Sequence, residues 1–125
     1  MIKILINGIT GKMGTEVAKL VKEHPKMHLL GGLDKYTSHN LPYPFFNDVN
    51  DIFEIPNVII DFSIPEATIS LLPFAIQKKI PMVIATTGFN EQQKEQIKEA
   101  SADIAIFQSA NLSYEITLMS KIVAQ

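Results

Sequence analysis

With 125 residues, 46% hydrophobic and 19% charged, the chain has the balance of a single globular domain, which argues against disorder. A net charge of −2, with lysines spread along helical patterns, leaves no basic stripe for a nucleic-acid groove. The absence of cysteine excludes disulfides, thiolate chemistry and Cys-type zinc sites. No apolar stretch reaches membrane-spanning length, and Asn7 interrupts the N-terminal run too early for a signal peptide, so a soluble, cytoplasmic protein is expected.

Two periods alternate along the chain. Short continuous apolar runs at 2–6, 27–33, 58–62, 82–85 and 104–107 predict strands buried on both faces. Amphipathic stretches of helical period lie between them. This rhythm predicts an α/β fold, a doubly wound parallel sheet of Rossmann type with strand order 3-2-1-4-5.

The first helix is expected from Lys12 to Glu23, its apolar pattern carried by Val17, Leu20 and Val21. It must stop before Pro25, because the residue preceding a proline is pushed out of helical geometry. Residues 36–47 predict mostly loop, followed by a short helix at 48–54 that buries Val49, Ile52 and Phe53.

Ser63 three residues before Glu66 predicts a capping box, with Pro65 in the first turn of a helix reaching Lys78. Pro73 inside that helix predicts a kink or an early end. Asn90 and Gln93 predict the cap of a polar surface helix ending at Ala100. A last helical stripe through Leu112, Ile116, Met119 and Val123 stops in mid-pattern at Gln125, which leads to the expectation of a domain cut from a longer chain.

The stretch Asn7-Gly8-Ile9-Thr10-Gly11-Lys12-Met13-Gly14 carries the strongest chemical signal. A strand, a glycine turn and a helix start in that order make an anion site, because the first helical N–H groups lack partners and the helix dipole is positive there. Its spacing is G-x-x-G-x-x-G, with Thr10 where the commoner dinucleotide fingerprint has its second glycine. Asp34 closes the second strand twenty residues after Gly14, where a carboxylate accepts hydrogen bonds from an adenosine ribose. Lys35 beside it can offset the charge of a 2′-phosphate, so both NADH and NADPH are expected as cofactors.

Three further strand ends, Asp61-Phe62-Ser63, Ala85-Thr86-Thr87-Gly88 and Ser109-Ala110-Asn111, fall where ligands bind in such sheets. His24 and His28 cannot share a helix face across Pro25, so no metal site is expected. Met13, Met82 and Met119 sit in apolar patterns and are expected first as core fillers. No Ser/His/Asp set or paired acid stands out, so no catalytic residue is assigned.

Assembled, these residues make the chain resemble the N-terminal domain of bacterial dihydrodipicolinate reductases, the 4-hydroxy-tetrahydrodipicolinate reductases of lysine and diaminopimelate biosynthesis. The matching motifs, in order, are Gly8-x-x-Gly11-Lys12-Met13-Gly14, Asp34-Lys35, Asp61-Phe62-Ser63-x-Pro65-Glu66, Ala85-Thr86-Thr87-Gly88-Phe89 and Ala110-Asn111-x-Ser113. The resemblance implies that Gly8, Ile9, Thr10, Gly11, Lys12 and Met13 surround the pyrophosphate, and that Asp34 and Lys35 meet the adenosine ribose. It implies a nicotinamide end lined by Ala85, Thr86, Thr87, Ser109, Ala110, Asn111 and Leu112.

In the family, hydride from NAD(P)H reduces a small dicarboxylate ring. A downstream substrate and oligomerisation domain supplies proton transfer, carboxylate binding and the homotetramer interface. That domain is absent here, so this chain alone is expected to be inactive.

Three positions depart from the family pattern. Ala85 replaces a glycine, Ile64 lacks the basic side chain of some relatives, and Tyr114-Glu115 stands where a residue followed by glycine is usual. Two alternatives stay open at this point: the N-terminal domain of another amino-acid-pathway dehydrogenase, and a non-catalytic nucleotide- or CoA-sensing module.

Overall fold

The apolar runs pair as one parallel sheet. The computed structural model describes residues 1–35 and 43–108. In chain order these form β1 (Ile2–Asn7), α1 (Lys12–Glu23), β2 (Met27–Leu33), β3 (Phe45–Phe46), a single 3-10 turn at Val49–Asp51 and β4 (Val58–Asp61). They continue with α2 (Pro65–Lys78), β5 (Met82–Ile84), α3 (Glu91–Ala100) and β6 (Ile106–Gln108). The sheet order is β3-β2-β1-β4-β5-β6, with every pair parallel.

The strand order corrects one detail of the expectation. Applied to the five predicted strands, 3-2-1-4-5 would place the run at 58–62 outside β2. That run instead pairs with β1, in a register from Ile4↔Val58 to Asn7↔Asp61. The place beside β2 goes to β3, which pairs Gly32↔Phe45 and Leu33↔Phe46 inside a stretch expected to be loop. Counting that two-residue strand restores the doubly wound order.

The strands read as continuous apolar runs because both faces are covered. Ile4 and Ile6 point into one core with Val17, Ala18 and Val21 of α1, joined by Val58, Ile60 and Val83. Leu5 points the other way, into a second core with Ile59, Met82, Ile84, Leu71, Leu72 and Ala75 of α2, and Ile97 and Ala100 of α3. Helix α1 buries Gly14, Val17, Ala18 and Val21, the i, i+3, i+4, i+7 set of one helical face. Leu20 and Met13, expected in the apolar pattern, are instead 45% and 43% exposed.

Helix ends divide the expectations. Helix α1 stops at Glu23, before Pro25, and the His24 N–H closes its last turn on Val21 O. Helix α3 opens with the predicted capping box: Asn90 Oδ1 accepts the Gln93 N–H at 2.8 Å, and Gln93 Oε1 accepts the Asn90 N–H at 2.9 Å.

At α2 the predicted box does not form. Ile64 is the N-cap and no side chain caps the helix, because the Ser63 hydroxyl is drawn to Asp61. Helix α2 also runs through Pro73 to Lys78. Pro73 lies on the exposed face, where solvent can take the carbonyl its ring leaves unbonded.

The segment at 48–54 makes only the 3-10 turn. Val49 and Ile52 pack partly on the second core, while Phe53 is 96% exposed. The last strand begins at Ile106 rather than residue 104. The expected stripe from Leu112 to Val123, with Met119, lies outside the described residues.

Candidate functional site at the carboxyl end of the sheet

Strand β1 delivers the chain to the glycine turn at the centre of the sheet. Gly8 adopts φ +84, the left-handed region, and a Cβ there would lie 2.5 Å from Phe62 O. Its N–H donates to Leu33 O at 2.8 Å, which ties the turn to the end of β2. At Gly14 a Cβ would fall 2.9 Å from Ile9 Cα and closer still to Gly8 O, so α1 seats directly on the turn. These two glycines are demanded by the fold.

Gly11 is not. Its φ of −74 suits any residue, and the nearest obstacle to a Cβ is Gly8 O at 3.5 Å. Gly11 is also the N-cap of α1, with no capping side chain and no acid in the first turn. The start of α1 therefore presents N–H donors beside a glycine that the protein's own packing does not require.

Thr10 occupies the position where the commoner fingerprint has glycine, and its side chain bonds to Asp34. Asp34 Oδ2 accepts both the Thr10 N–H at 3.1 Å and the Thr10 hydroxyl at 2.5 Å. The Asp34 backbone is fixed from the other side, its N–H donating to Phe46 O at 3.1 Å and its carbonyl accepting Asn47 Nδ2 at 3.1 Å. A cavity of about 240 Å³ opens there, lined by Asp34, Lys35 and Asn47 and by Ala67, Ser70 and Leu71 of α2, with Asn7 at its floor.

A second cavity, of about 430 Å³, lies at the ends of β5 and β6, lined by Ala85, Thr86, Thr87, Phe89, Lys94 and Gln108. Between the two cavities sits Asp61, fully buried at the end of β4. It accepts from Asn7 Nδ2 at 3.0 Å, Ser63 Oγ at 2.6 Å, Thr86 Oγ at 3.0 Å and Thr68 Oγ.

The fold thus gathers most of the residues singled out from the sequence. Gly8, Ile9, Thr10, Gly11, Lys12 and Met13 form one turn, and Asp34 and Lys35 flank the first cavity. Ala85, Thr86 and Thr87 line the second. The Ile9 side chain is fully buried in the core, so only its backbone is available to a ligand. Met13 is half exposed on the first turn of α1, whereas Met82 fills the core as expected. Ser109, Ala110, Asn111 and Leu112 lie outside the described residues, as does Tyr114-Glu115.

Sequence reasoning missed Asn47, Ser70 and the part played by Asn7. Asn47 and Ser70 follow no motif, and only the docking of β3 and the seating of α2 bring them to Asp34.

A family profile described as "Dihydrodipicolinate reductase, N-terminus" matches residues 2–112. The chain belongs to this family. It is 43% identical over 125 residues to a 4-hydroxy-tetrahydrodipicolinate reductase of Caldanaerobacter subterraneus subsp. tengcongensis, covering 100% of this chain and 49% of that protein. A reductase of the same description from Clostridium novyi is 33% identical over 123 residues, covering 98% of this chain and 49% of that protein. The chain spans about half the length of the curated relatives it matches.

Among solved structures, a dipicolinate-bound dihydrodipicolinate reductase from Paenisporosarcina sp. TG-14 matches with a TM-score of 0.74 at 24% identity. That match covers 98% of this chain and 52% of the other. Homoserine dehydrogenase of S. aureus follows with a TM-score of 0.70 at 18% identity, over 87% of this chain and 32% of that one. At these identities the structural likeness speaks for the fold alone. The motifs and the family agree, and among the described residues no helix is long and apolar enough to cross a membrane.

Proposed function

We propose that this chain is the NAD(P)H-binding part of a 4-hydroxy-tetrahydrodipicolinate reductase. The observation that carries the reading is Gly11, an uncapped helix start with room for a Cβ, next in sequence to Thr10, which bonds to Asp34 at the edge of the first cavity. A diphosphate approaching that turn needs the space a side chain would take, and α1 supplies the N–H donors for it. The residues present therefore fit the cofactor.

The turn from Gly8 to Met13 would surround the diphosphate, with the N–H groups of Lys12 and Met13 at the start of α1 as donors, because those of Gly8, Thr10 and Gly11 bond within the protein. Asp34, its carboxylate steadied by Thr10, would accept the hydroxyls of the adenosine ribose, and Lys35 would offset a 2′-phosphate. Ala85, Thr86 and Thr87, with Ser109, Ala110, Asn111 and Leu112, would meet the nicotinamide end. When bound, the reduced nicotinamide supplies the hydride.

Both NADH and NADPH serve in this reading, with little discrimination. The complete protein reduces a small dicarboxylate ring in the cytoplasm as a homotetramer, whose substrate and interface residues belong to a further domain. This chain alone binds nucleotide without turnover, because hydride transfer needs substrate positioned against the cofactor. Nucleic acid and membrane are not partners, and no metal is used.

The family match supports this reading over the two alternatives. Thermal shift separates it from the nucleotide- or CoA-sensing module. Ligand at 100 times its dissociation constant stabilises by about 2.7 kcal/mol, so NADH and NADPH should each raise the melting temperature. A shift with CoA or ADP-type ligands but none with either dinucleotide would sink the reductase reading.

A further inference from the structure

Among the described residues the buried polar side chains are Asn7, Asp61, Thr68 and Thr86, and all four belong to one hydrogen-bonded cluster. Its centre is Asp61, 0% exposed. Oδ1 accepts from Asn7 Nδ2 and Ser63 Oγ, and Oδ2 accepts from Thr86 Oγ and Thr68 Oγ. A carboxylate offers about four lone-pair sites, so this one is filled, and these four donors are neutral.

Burying a charge is costly unless every site is satisfied. The four donors depend on it in turn, since an apolar residue at this position would leave buried Asn7, Thr68 and Thr86 without their acceptor.

The placement gives the cluster a use. Asn7 is at the floor of the cavity beside Asp34, and Thr86 lines the cavity at the end of β5. Asp61 is bonded to both, so one carboxylate joins a wall of each cavity. The Thr86 hydroxyl is spent internally, donating to Asp61 and accepting the Ser63 N–H at 2.9 Å. Thr87, its neighbour, is exposed.

We propose that Asp61 is a positioning residue that sets the Thr86–Thr87 loop against the glycine turn, so that the two halves of a dinucleotide are held in one pose. Thr86 transmits the restraint through its hydroxyl, while its backbone, with Ala85 and Thr87, meets the ligand. The proposal rests on the cofactor reading above.

The experiment measures NADH and ADP affinity for the full chain, ADP standing for the adenosine half alone. Asp61→Asn and Thr86→Val should each weaken NADH by about tenfold while leaving ADP within about twofold of wild type. Thr86→Ser, which keeps the hydroxyl, should restore NADH binding to within about threefold. The double variant should bind NADH no worse than Asp61→Asn alone, because both changes cut the same link.

NADH binding by Thr86→Val at wild-type strength would overturn the proposal, as would equal losses for NADH and ADP. If Asp61→Asn does not fold, the two Thr86 variants decide by the same criteria. A wild-type chain that ignores NADH would defeat the cofactor reading and this proposal together. One that binds NADH with no effect of the substitutions would defeat this proposal alone.

Discussion

Gly14→Ala and Gly11→Ala form a matched pair that separates what the fold requires from what a ligand requires. In Gly14→Ala the new carbon would sit 2.9 Å from Ile9 Cα and closer still to Gly8 O. Both obstacles are backbone, so no side-chain rotation relieves them. Alanine's preference for the helix returns about 1 kcal/mol. Forcing a carbon into a packed site costs roughly 1–3 kcal/mol, and the upper end applies where backbone must move. The net loss is roughly 2 kcal/mol. At about 3–5 °C per kcal/mol for a domain of this size, the melting temperature should fall by roughly 6–10 °C.

In Gly11→Ala the new carbon meets only Gly8 O, at 3.5 Å, in a backbone conformation open to alanine. Its stability loss should stay within about 1 kcal/mol, the scale of an N-cap change. The same carbon occupies the space proposed for the diphosphate, so NADH should bind about tenfold or more weakly. Thermal melts followed by circular dichroism and a fluorescence titration with NADH read both quantities. The reasoning fails if Gly14→Ala melts with wild type, if Gly11→Ala melts as low as Gly14→Ala, or if Gly11→Ala keeps its affinity.

Lys35→Ala should weaken NADPH by about tenfold and NADH by no more than about twofold, because only the former carries a 2′-phosphate. Equal losses in paired titrations would remove Lys35 from the adenosine end. Lys79 ends α2 at φ 59, a region that favours glycine. Lys79→Gly should therefore stabilise by about 1 kcal/mol, seen as a rise of a few degrees in the melt; a fall would show that the lysine side chain matters more than its backbone.

Glu54 supplies a pH test. A hydrogen bond from Lys3, 2.6 Å away, and the charge of that ammonium hold its carboxyl below the ordinary 4.5. A depressed folded-state pKa gives a contribution present above the unfolded value and lost as pH falls through the folded one. An NMR titration should place the Glu54 midpoint below 4.5 and move it upward in Lys3→Ala or in high salt. An unmoved midpoint in Lys3→Ala would refute the pairing.

The parts of this fold legible in the sequence are those written in local pattern. Five strands showed as continuous apolar runs because both sheet faces are buried. Helix α1 ended where Pro25 dictates, and α3 began at a cap whose two partners, Asn90 and Gln93, are three residues apart. Strand β3 is too short to carry a period. Its signal lay elsewhere, in the Gly31-Gly32 pair inside β2, where a Cβ on Gly31 would lie 2.8 Å from the Phe46 ring.

Ser63 and Glu66 have the spacing of a capping box, but a buried carboxylate two residues earlier competes for the hydroxyl and wins. At the candidate site, the glycine turn and Asp34 were legible because their motif is sequential. The Asp61 cluster was not, since its partners Asn7 and Thr86 stand 54 and 25 residues away.

The two-residue strand β3 also bears on association between chains. An unpaired sheet edge is a template for a strand from another molecule, and β2, seven residues and largely apolar, would be such a template at its carboxyl end if β3 were lost. The bonds that block it there, from Gly32 N–H to Pro44 O and from Asp34 N–H to Phe46 O, also set the height of Asp34 above the sheet. Guarding this edge against strand addition and presenting the carboxylate are one structural act, so a substitution that frees Phe46 should cost solubility and nucleotide affinity together.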